Sequence, residues 1–266
     1  MSDKNEKNLK NNIQVSHHPR TKASITFDEG PHTYTDNTGK IYESGTTFVT
    51  KYFEKFDAVA VSEMCSQGDN PKYAGRSSSE IQFDWSIDGE IAAQEGTNTH
   101  LYFEGLMSDW SVGQLPEPLS ERCRLMFIQA EKAAIDVKKY YMFVGAEIII
   151  FSPKLGKSGM IDLLVWSESS NEIVIFDLKT NKKIKRENKY RTALPPINHL
   201  DDTELSKYSL QLSLYQKILT IEKYFNKKIK FRRALIHLSI DDFKIINIED
   251  YSDEINKLLK YEGILK

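Results

Sequence analysis

The segment that decides the fold spans residues 159–180 and reads GMIDLLVWSESSNEIVIFDLKT. Its two ends are rich in aliphatic and β-branched residues, whereas Ser, Glu and Asn dominate the middle, a pattern typical of two strands joined by a turn. If the turn centres on Ser169 and Ser170, the numbers of opposed residues sum to 339. The sequence therefore predicts an antiparallel hairpin in which Asp162 lies opposite Asp177.

This pair of carboxylates is the first candidate site. Directly opposed Cβ atoms lie roughly 5 Å apart, and Lys179, two residues after Asp177, points to the same face. A solvent-facing pair at the strand ends is the ordinary alternative, but the apolar flanks argue against it, because two buried like charges repel. A divalent cation would offset that cost, and hard oxygen ligands favour Mg²⁺ or Mn²⁺. Such an ion activates water at a phosphate, and Lys179 could polarise that water or neutralise developing charge.

The context of Asp177 carries more weight than the triplet Asp-x-Lys itself. An acid, any residue and then lysine occur together at four positions, Asp136, Asp177, Glu187 and Asp242. Asp136 falls in a helical pattern, Glu187 in a basic loop and Asp242 in a polar turn. Only Asp177 lies in an apolar strand with a second aspartate opposite.

Working outward, periodicity predicts an α/β (α+β) fold with a central mixed sheet flanked by helices. A short hairpin is predicted over residues 25–45, and a helix that starts at Thr46 or Thr47 follows it. Further strands are predicted at 143–151, 231–240 and 243–248. Further helices are predicted at 85–106, 120–141 and 201–225.

The charge is unevenly distributed, although the net charge is only −2. A run of cations follows Lys179 and contains one acid, Glu187. Its basic members are Lys182, Lys183, Lys185, Arg186, Lys189 and Arg191. A solvated face is the usual explanation of such a run. Because it leaves the candidate site directly, we predict that it binds nucleic-acid phosphates without sequence preference and in a salt-sensitive way.

The two cysteines, Cys65 and Cys123, are too few for a four-thiolate zinc or iron–sulfur site. Free thiols in a reducing, cytoplasmic compartment are the simpler interpretation. No run of apolar residues approaches the roughly 20 that a membrane helix needs, so we expect no membrane partner.

Four elements, in this order along the chain, resemble the RecB-like branch of the PD-(D/E)XK nuclease superfamily: Gly96-Thr97-x-x-His100, Gly159-x-x-Asp162, Asp177-x-Lys179 and Gln211-x-x-x-Tyr215. Residues 32–47 are also similar to the lead-in of phage and mitochondrial genome-maintenance exonucleases. The resemblance implies a restriction-endonuclease-like core over residues 85–266. The polar, Lys/Asn-rich composition of residues 1–23 predicts a disordered tail, and the hairpin and helix patterns predict an N-terminal arm over residues 24–84 ahead of this core.

The resemblance also implies roles for individual residues. The metal, Mg²⁺ or Mn²⁺, would be held by His100, Asp162, Asp177 and the backbone carbonyl of Leu178. Lys179 would act in catalysis together with the two aspartates, and Gln211 and Tyr215 would orient the site or contact DNA, although packing alone could explain Tyr215. Glu104, one helical turn after His100, and Glu147, on the preceding strand, would support the ligands.

The activity that the resemblance implies is a metal-dependent DNA exonuclease acting on ends or single strands in replication, recombination or repair. A helicase or recombination protein would be a possible partner, and the arm would cover the site and thread single-stranded DNA. Many members of this branch carry four cysteines that bind an iron–sulfur cluster. Because this chain has only two cysteines, we expect no cluster here. Three alternatives stay open: a flap or branch endonuclease, a non-catalytic nucleic-acid-binding subunit, and a hydrolase of small phosphate esters.

Overall fold

The computed structural model describes residues 6–8, 13–225 and 229–266. Within them, ten strands form one mixed sheet flanked by helices, which confirms the predicted fold class. The strands are β1 (Glu6–Asn8), β2 (Ile13–His17), β3 (Ser24–Asp28), β4 (Thr33–Asp36), β5 (Ile41–Ser44), β6 (Met142–Ser152), β7 (Lys157–Ser167), β8 (Glu172–Lys179), β9 (Lys230–Leu238) and β10 (Phe243–Asn247). The helices are α1 (Gly45–Thr50), α2 (Ala58–Gln67), α3 (Ser78–Met107), α4 (Glu121–Tyr140), α5 (Glu204–Ile221) and α6 (Ser252–Tyr261).

Strand β7 is the centre of the sheet, and its edges explain where a site can form. One edge pairs with β6 along nearly the whole strand. The other edge pairs in parallel with β5 at Lys157 and Ser158, and antiparallel with β8 from Leu163 to Ser167. Between these two pairings, at residues 159–162, β5 and β8 diverge and leave the edge of β7 open.

The predicted β7–β8 hairpin is confirmed, including its register. Leu163 pairs with Phe176 and Val165 with Val174, so the numbers of paired residues sum to 339 as expected. Asp162 and Asp177 are the next positions in the same register, one step beyond the last paired residues. They therefore lie where the two strands separate.

Helices cover both faces of the sheet. On one face, α1, α5 and α6 pack on β-sheet residues such as Ile175 and Leu235, which are fully buried. On the other face, α3 and α4 pack on a second set that includes Val165 and Phe176. Helix α6, which the sequence pattern did not suggest, buries Ile255, Leu258 and Leu259 completely.

Helix α3 begins at a capping box, in which Ser77 and Glu80 bond each other's backbone N–H groups. It runs without a break through residues 84 and 85, where the sequence suggested a boundary between arm and core. Ile87 and Ile91, apolar residues at helical spacing in this segment, are left 40% and 50% exposed. Only from residue 95 onward does this helix bury a face regularly.

The expectation of a disordered tail over residues 1–23 is wrong for Ile13–His17, which form β2 and pair with β3. Polar side chains in and just after this strand attach it to β6. Ser16 donates a hydrogen bond to the carbonyl of Ile149, and the buried ring of His18 packs edge-on against Phe151. Because both contacts are made by polar residues, the alternation of apolar residues that predicts a strand is absent here. Residues 1–5 and 9–12 of the expected tail lie outside the described residues.

Candidate active site

Three acidic residues lie in a row across the neighbouring strands β6, β7 and β8. The β6–β7 register, in which Ala146 pairs with Leu163 and Ile148 with Ile161, places Glu147 opposite Asp162. Asp177 occupies the matching position on β8. Glu147 has a positive φ of 48°, an uncommon backbone conformation for this residue type. Such strained positions are tolerated where the surrounding structure holds them.

His100 of α3 completes a compact set of donors. Its Nδ1 atom lies 3.5 Å from Asp162 Oδ2 and 4.0 Å from Glu147 Oε1. One ligand atom from each of His100, Glu147 and Asp162 lies within 4.8 Å of the other two. Of the residues described, only these three form such a group of possible metal ligands. The sequence had placed Glu147 in a supporting role, whereas the geometry puts it among the donors.

Asp177 lies outside this group of three possible ligands and pairs with Lys179. Lys179 Nζ lies 2.6 Å from Asp177 Oδ2 and 4.6 Å from the centre of the Tyr208 ring. The ammonium is thus held between a carboxylate and an aromatic face, and it does point to the same side as Asp177. Tyr208 was missed as a site residue. Its spacing of three and seven residues from Gln211 and Tyr215 on one helix face is the signal that could have identified it.

The backbone of β8 is tied to the same cluster. The Leu178 N–H donates a hydrogen bond to Asp162 Oδ2 at 2.6 Å. This bond spans the point where β7 and β8 separate, so the Asp162 carboxylate takes the place of the next backbone pair. It also fixes the carboxylate beside His100.

Burial dominates the electrostatics of the two aspartates. It raises the pKa of Asp177 to about 6, against the opposing effect of Lys179, and the nearby Asp162 raises it further. Burial likewise raises the pKa of Asp162, with Lys179 and the Leu178 N–H opposing it. Both carboxylates are therefore costly to ionise without an added positive charge.

The pKa values of His100 and Lys179 are shifted in opposite directions. Burial and then the charge of Lys179 lower the pKa of His100 to about 4, so its imidazole is neutral at neutral pH. Burial also lowers the pKa of Lys179, but Asp177 and Asp162 outweigh it and the net pKa is raised. At neutral pH the site thus contains a neutral nitrogen donor and a permanent ammonium.

Two glycines leave room for the ring of Tyr215. A Cβ atom at Gly159 of β7 would overlap the Tyr215 ring, and one at Gly45, the first residue of α1, would lie 2.6 Å from the ring atom Cε1. Gln211 Nε2 donates a hydrogen bond to the Tyr215 hydroxyl at 2.9 Å. The glycine three residues before Asp162 therefore makes room for this tyrosine. Helix α1 itself is capped by Ser44, not by Thr46 or Thr47 as expected.

The Gly96-Thr97-x-x-His100 element sets the position of α3. A Cβ atom at Gly96 would lie 3.1 Å from Thr180 Oγ1, so the glycine lets the helix approach the end of β8. The buried Glu95 binds Arg122, which also donates to the Thr180 carbonyl at 3.1 Å. These contacts hold the helix where His100, about one turn later, meets the carboxylates. Glu104 follows one turn further on and is partly buried.

The six basic residues predicted to bind nucleic acid all lie in the loop between β8 and α5, and all are exposed. None of them forms an ion pair with an acid in the part of the chain that the structure describes. Both cysteines are free thiols, with Cys123 buried and Cys65 partly exposed.

Comparison with known protein families found no matching family model, and a search of curated proteins found no matching sequence. None of the helices described combines the length and apolar character needed to cross a membrane.

Proposed function

We propose that the protein is a metal-dependent DNA nuclease that hydrolyses phosphodiester bonds. The observation that carries the proposal is the cluster of His100, Glu147 and Asp162, with Lys179 held beside it by Asp177. The resemblance of the four sequence elements to RecB-like nucleases supports the same conclusion. It also favours an exonuclease that acts on DNA ends or single strands.

The residues present fit a divalent cation. The cluster offers a neutral imidazole nitrogen and two carboxylates, and the raised pKa of Asp162 marks a cost of ionisation that a cation would offset. Mostly oxygen donors favour Mg²⁺ or Mn²⁺. When bound, such an ion lowers the pKa of water and withdraws charge from a phosphate oxygen.

Lys179 is the residue we assign to charge stabilisation. Its raised pKa keeps it protonated at neutral pH, so it serves as a hydrogen-bond donor and not as a base. As water adds to phosphorus and the bond to the leaving oxygen breaks, negative charge grows on the phosphoryl oxygens, where a fixed ammonium stabilises it. Asp177 and Tyr208 hold the ammonium in place and act as positioning residues.

The test is cleavage of linear single- and double-stranded DNA, labelled separately at each end, with Mg²⁺, with Mn²⁺ and with chelator. Lys179→Ala should lose activity roughly 100- to 1000-fold, as when a donor to a developing charge is removed. Lys244→Ala is the matched control, because Lys244 forms the same acid-x-lysine pair with Asp242 at 3.0 Å on the surface. It should cut like the wild type.

Each outcome discriminates between the alternatives. Sequential loss of one end label supports the exonuclease and gives its polarity. A product ladder on closed circular DNA moves the assignment to an endonuclease. Tight DNA binding with no cleavage in either metal, unchanged by Lys179→Ala, would sink the catalytic proposal and leave a binding subunit.

A further inference from the structure

Tyr190 is the most exposed tyrosine among the described residues, with 94% of its surface accessible. The next values, for Tyr261 and Tyr140, are 67% and 58%. An aromatic ring that stands this far from the protein surface forgoes the burial that normally stabilises it. Its position between Lys189 and Arg191 in the basic loop distinguishes it from an isolated surface aromatic.

The loop segment that displays Tyr190 is held in a defined conformation. Asn188 Oδ1 accepts hydrogen bonds from the backbone N–H groups of Tyr190 and Arg191, each at 3.2 Å. The Asn188 N–H and side-chain amide donate to Asp201 and Asp202 at 3.0 and 2.8 Å. This network orders the backbone beneath the ring, so less entropy is lost when the ring binds a partner.

The same loop is joined to the candidate active site at both ends. It leaves β8 at Lys179 and enters α5 at Glu204, whose carboxylate accepts a hydrogen bond from the Lys185 N–H at 3.1 Å. The Leu205 N–H in turn donates to the Lys185 carbonyl at 3.2 Å. Tyr208, which contacts Lys179, follows Glu204 by one helical turn. Both ends of the loop that carries Tyr190 are therefore anchored beside residues of the candidate active site.

The charges around Tyr190 indicate the partner. Lys189 and Arg191 are exposed, and neither forms an ion pair with any described acid. Unpaired cations beside a ring suit a polyanion that also offers flat aromatic groups. A single strand of nucleic acid meets both requirements, because cations follow its phosphates while its bases stack on aromatic side chains.

We infer that Tyr190 is a stacking platform for an unpaired base of the DNA substrate, with Lys189 and Arg191 on the flanking phosphates. This inference rests on the proposed nuclease function and deepens it, because it makes single-stranded DNA or a frayed end the preferred substrate. In a paired duplex the faces of the bases are already stacked on each other. Tyr190 therefore contributes to binding of single strands and not of blunt duplexes.

The experiment measures equilibrium binding by fluorescence anisotropy, with chelator present so that nothing is cut. The probes are a labelled oligothymidine, an abasic strand of the same length and a blunt duplex. Tyr190→Ala should weaken oligothymidine binding roughly 5- to 100-fold, the range for loss of one stacked base. It should leave abasic-strand and duplex binding unchanged, and Tyr190→Phe should keep the wild-type affinity.

Tyr140→Ala is the matched control, since Tyr140 is also exposed and has a lysine ammonium over its ring, yet it lies on α4. It should bind all three probes like the wild type. Equal oligothymidine binding by wild type and Tyr190→Ala would overturn the inference, as would an equal loss on the abasic strand. Because binding is read without metal, failure of the inference is separable from failure of the nuclease proposal, which is decided by cleavage alone.

Discussion

The sharpest quantitative prediction concerns Asp177→Asn and the stability of the metal-free protein. Burial raises the pKa of Asp177 from its usual 3.8 to about 6, so the folded state binds the proton more tightly than the unfolded state. The resulting stability is present below pH 3.8 and is lost as the pH rises through 6. Two pKa units correspond to about 3 kcal/mol.

Asparagine cannot ionise, so this loss should disappear in the variant. About 1 kcal/mol of this loss occurs below pH 4.5, so Asp177→Asn should gain about 2 kcal/mol of unfolding free energy relative to wild type between pH 4.5 and pH 8. For a chain of this size, that gain should raise the Tm of the variant relative to wild type by about 4–8 °C across this pH range. The variant also removes the partner of Lys179, but that lysine stays protonated throughout this range. Its effect shifts the whole curve without changing its slope.

The assay is urea or thermal unfolding with chelator at several pH values from 4.5 to 8. Asp36→Asn is the control, because hydrogen bonds from Thr38 hold the pKa of Asp36 at about 2. The stability that the Asp36 carboxylate contributes is lost only as the pH falls from 3.8 towards 2. The difference in stability between Asp36→Asn and wild type should therefore be nearly constant over the assay range. If the stability difference between Asp177→Asn and wild type is also independent of pH, the claim that burial raises the pKa of Asp177 is refuted.

Three further predictions follow from the same geometry. Gly159→Ala should lower the unfolding free energy by about 1–3 kcal/mol, because the new methyl overlaps Tyr215, whereas Gly89→Ala meets nothing within 4 Å and should be neutral or stabilising. Glu147→Gln should weaken Mn²⁺ binding in calorimetry at least tenfold, and unchanged affinity would remove Glu147 from the ligand set. Lys189→Ala should reduce the slope of log affinity against log salt by about 0.7–0.9, and an unchanged slope would mean that this lysine contacts no phosphate.

The parts of the fold that the sequence predicted well are those encoded by local patterns. The β7–β8 hairpin follows from two apolar runs around a Ser/Glu/Asn turn, and its register follows from the centre of that turn. The position of Lys179 beside Asp177 follows from the alternation of side chains along a strand. These inferences need no knowledge of distant contacts.

The parts that were missed depend on contacts between distant segments. Glu147 lies beside His100 and Asp162 and has a positive φ within β6. No residue pattern in the sequence predicts that backbone conformation. Strand β2 is held by pairing with β3 and by buried polar side chains, so its composition resembles a tail. Conversely, Ile87 and Ile91 have helical spacing but stay exposed, since periodicity indicates an apolar face without saying what covers it.

The most direct test of the metal site is anomalous diffraction from crystals of the protein grown with Mn²⁺. We expect a peak about 2.2 Å from one nitrogen of His100 and from carboxylate oxygens of Glu147 and Asp162, and we expect it to be lost in Glu147→Gln crystals. A peak on other acids, or no peak at saturating Mn²⁺, would contradict the assignment of these three residues as the metal ligands of a nuclease.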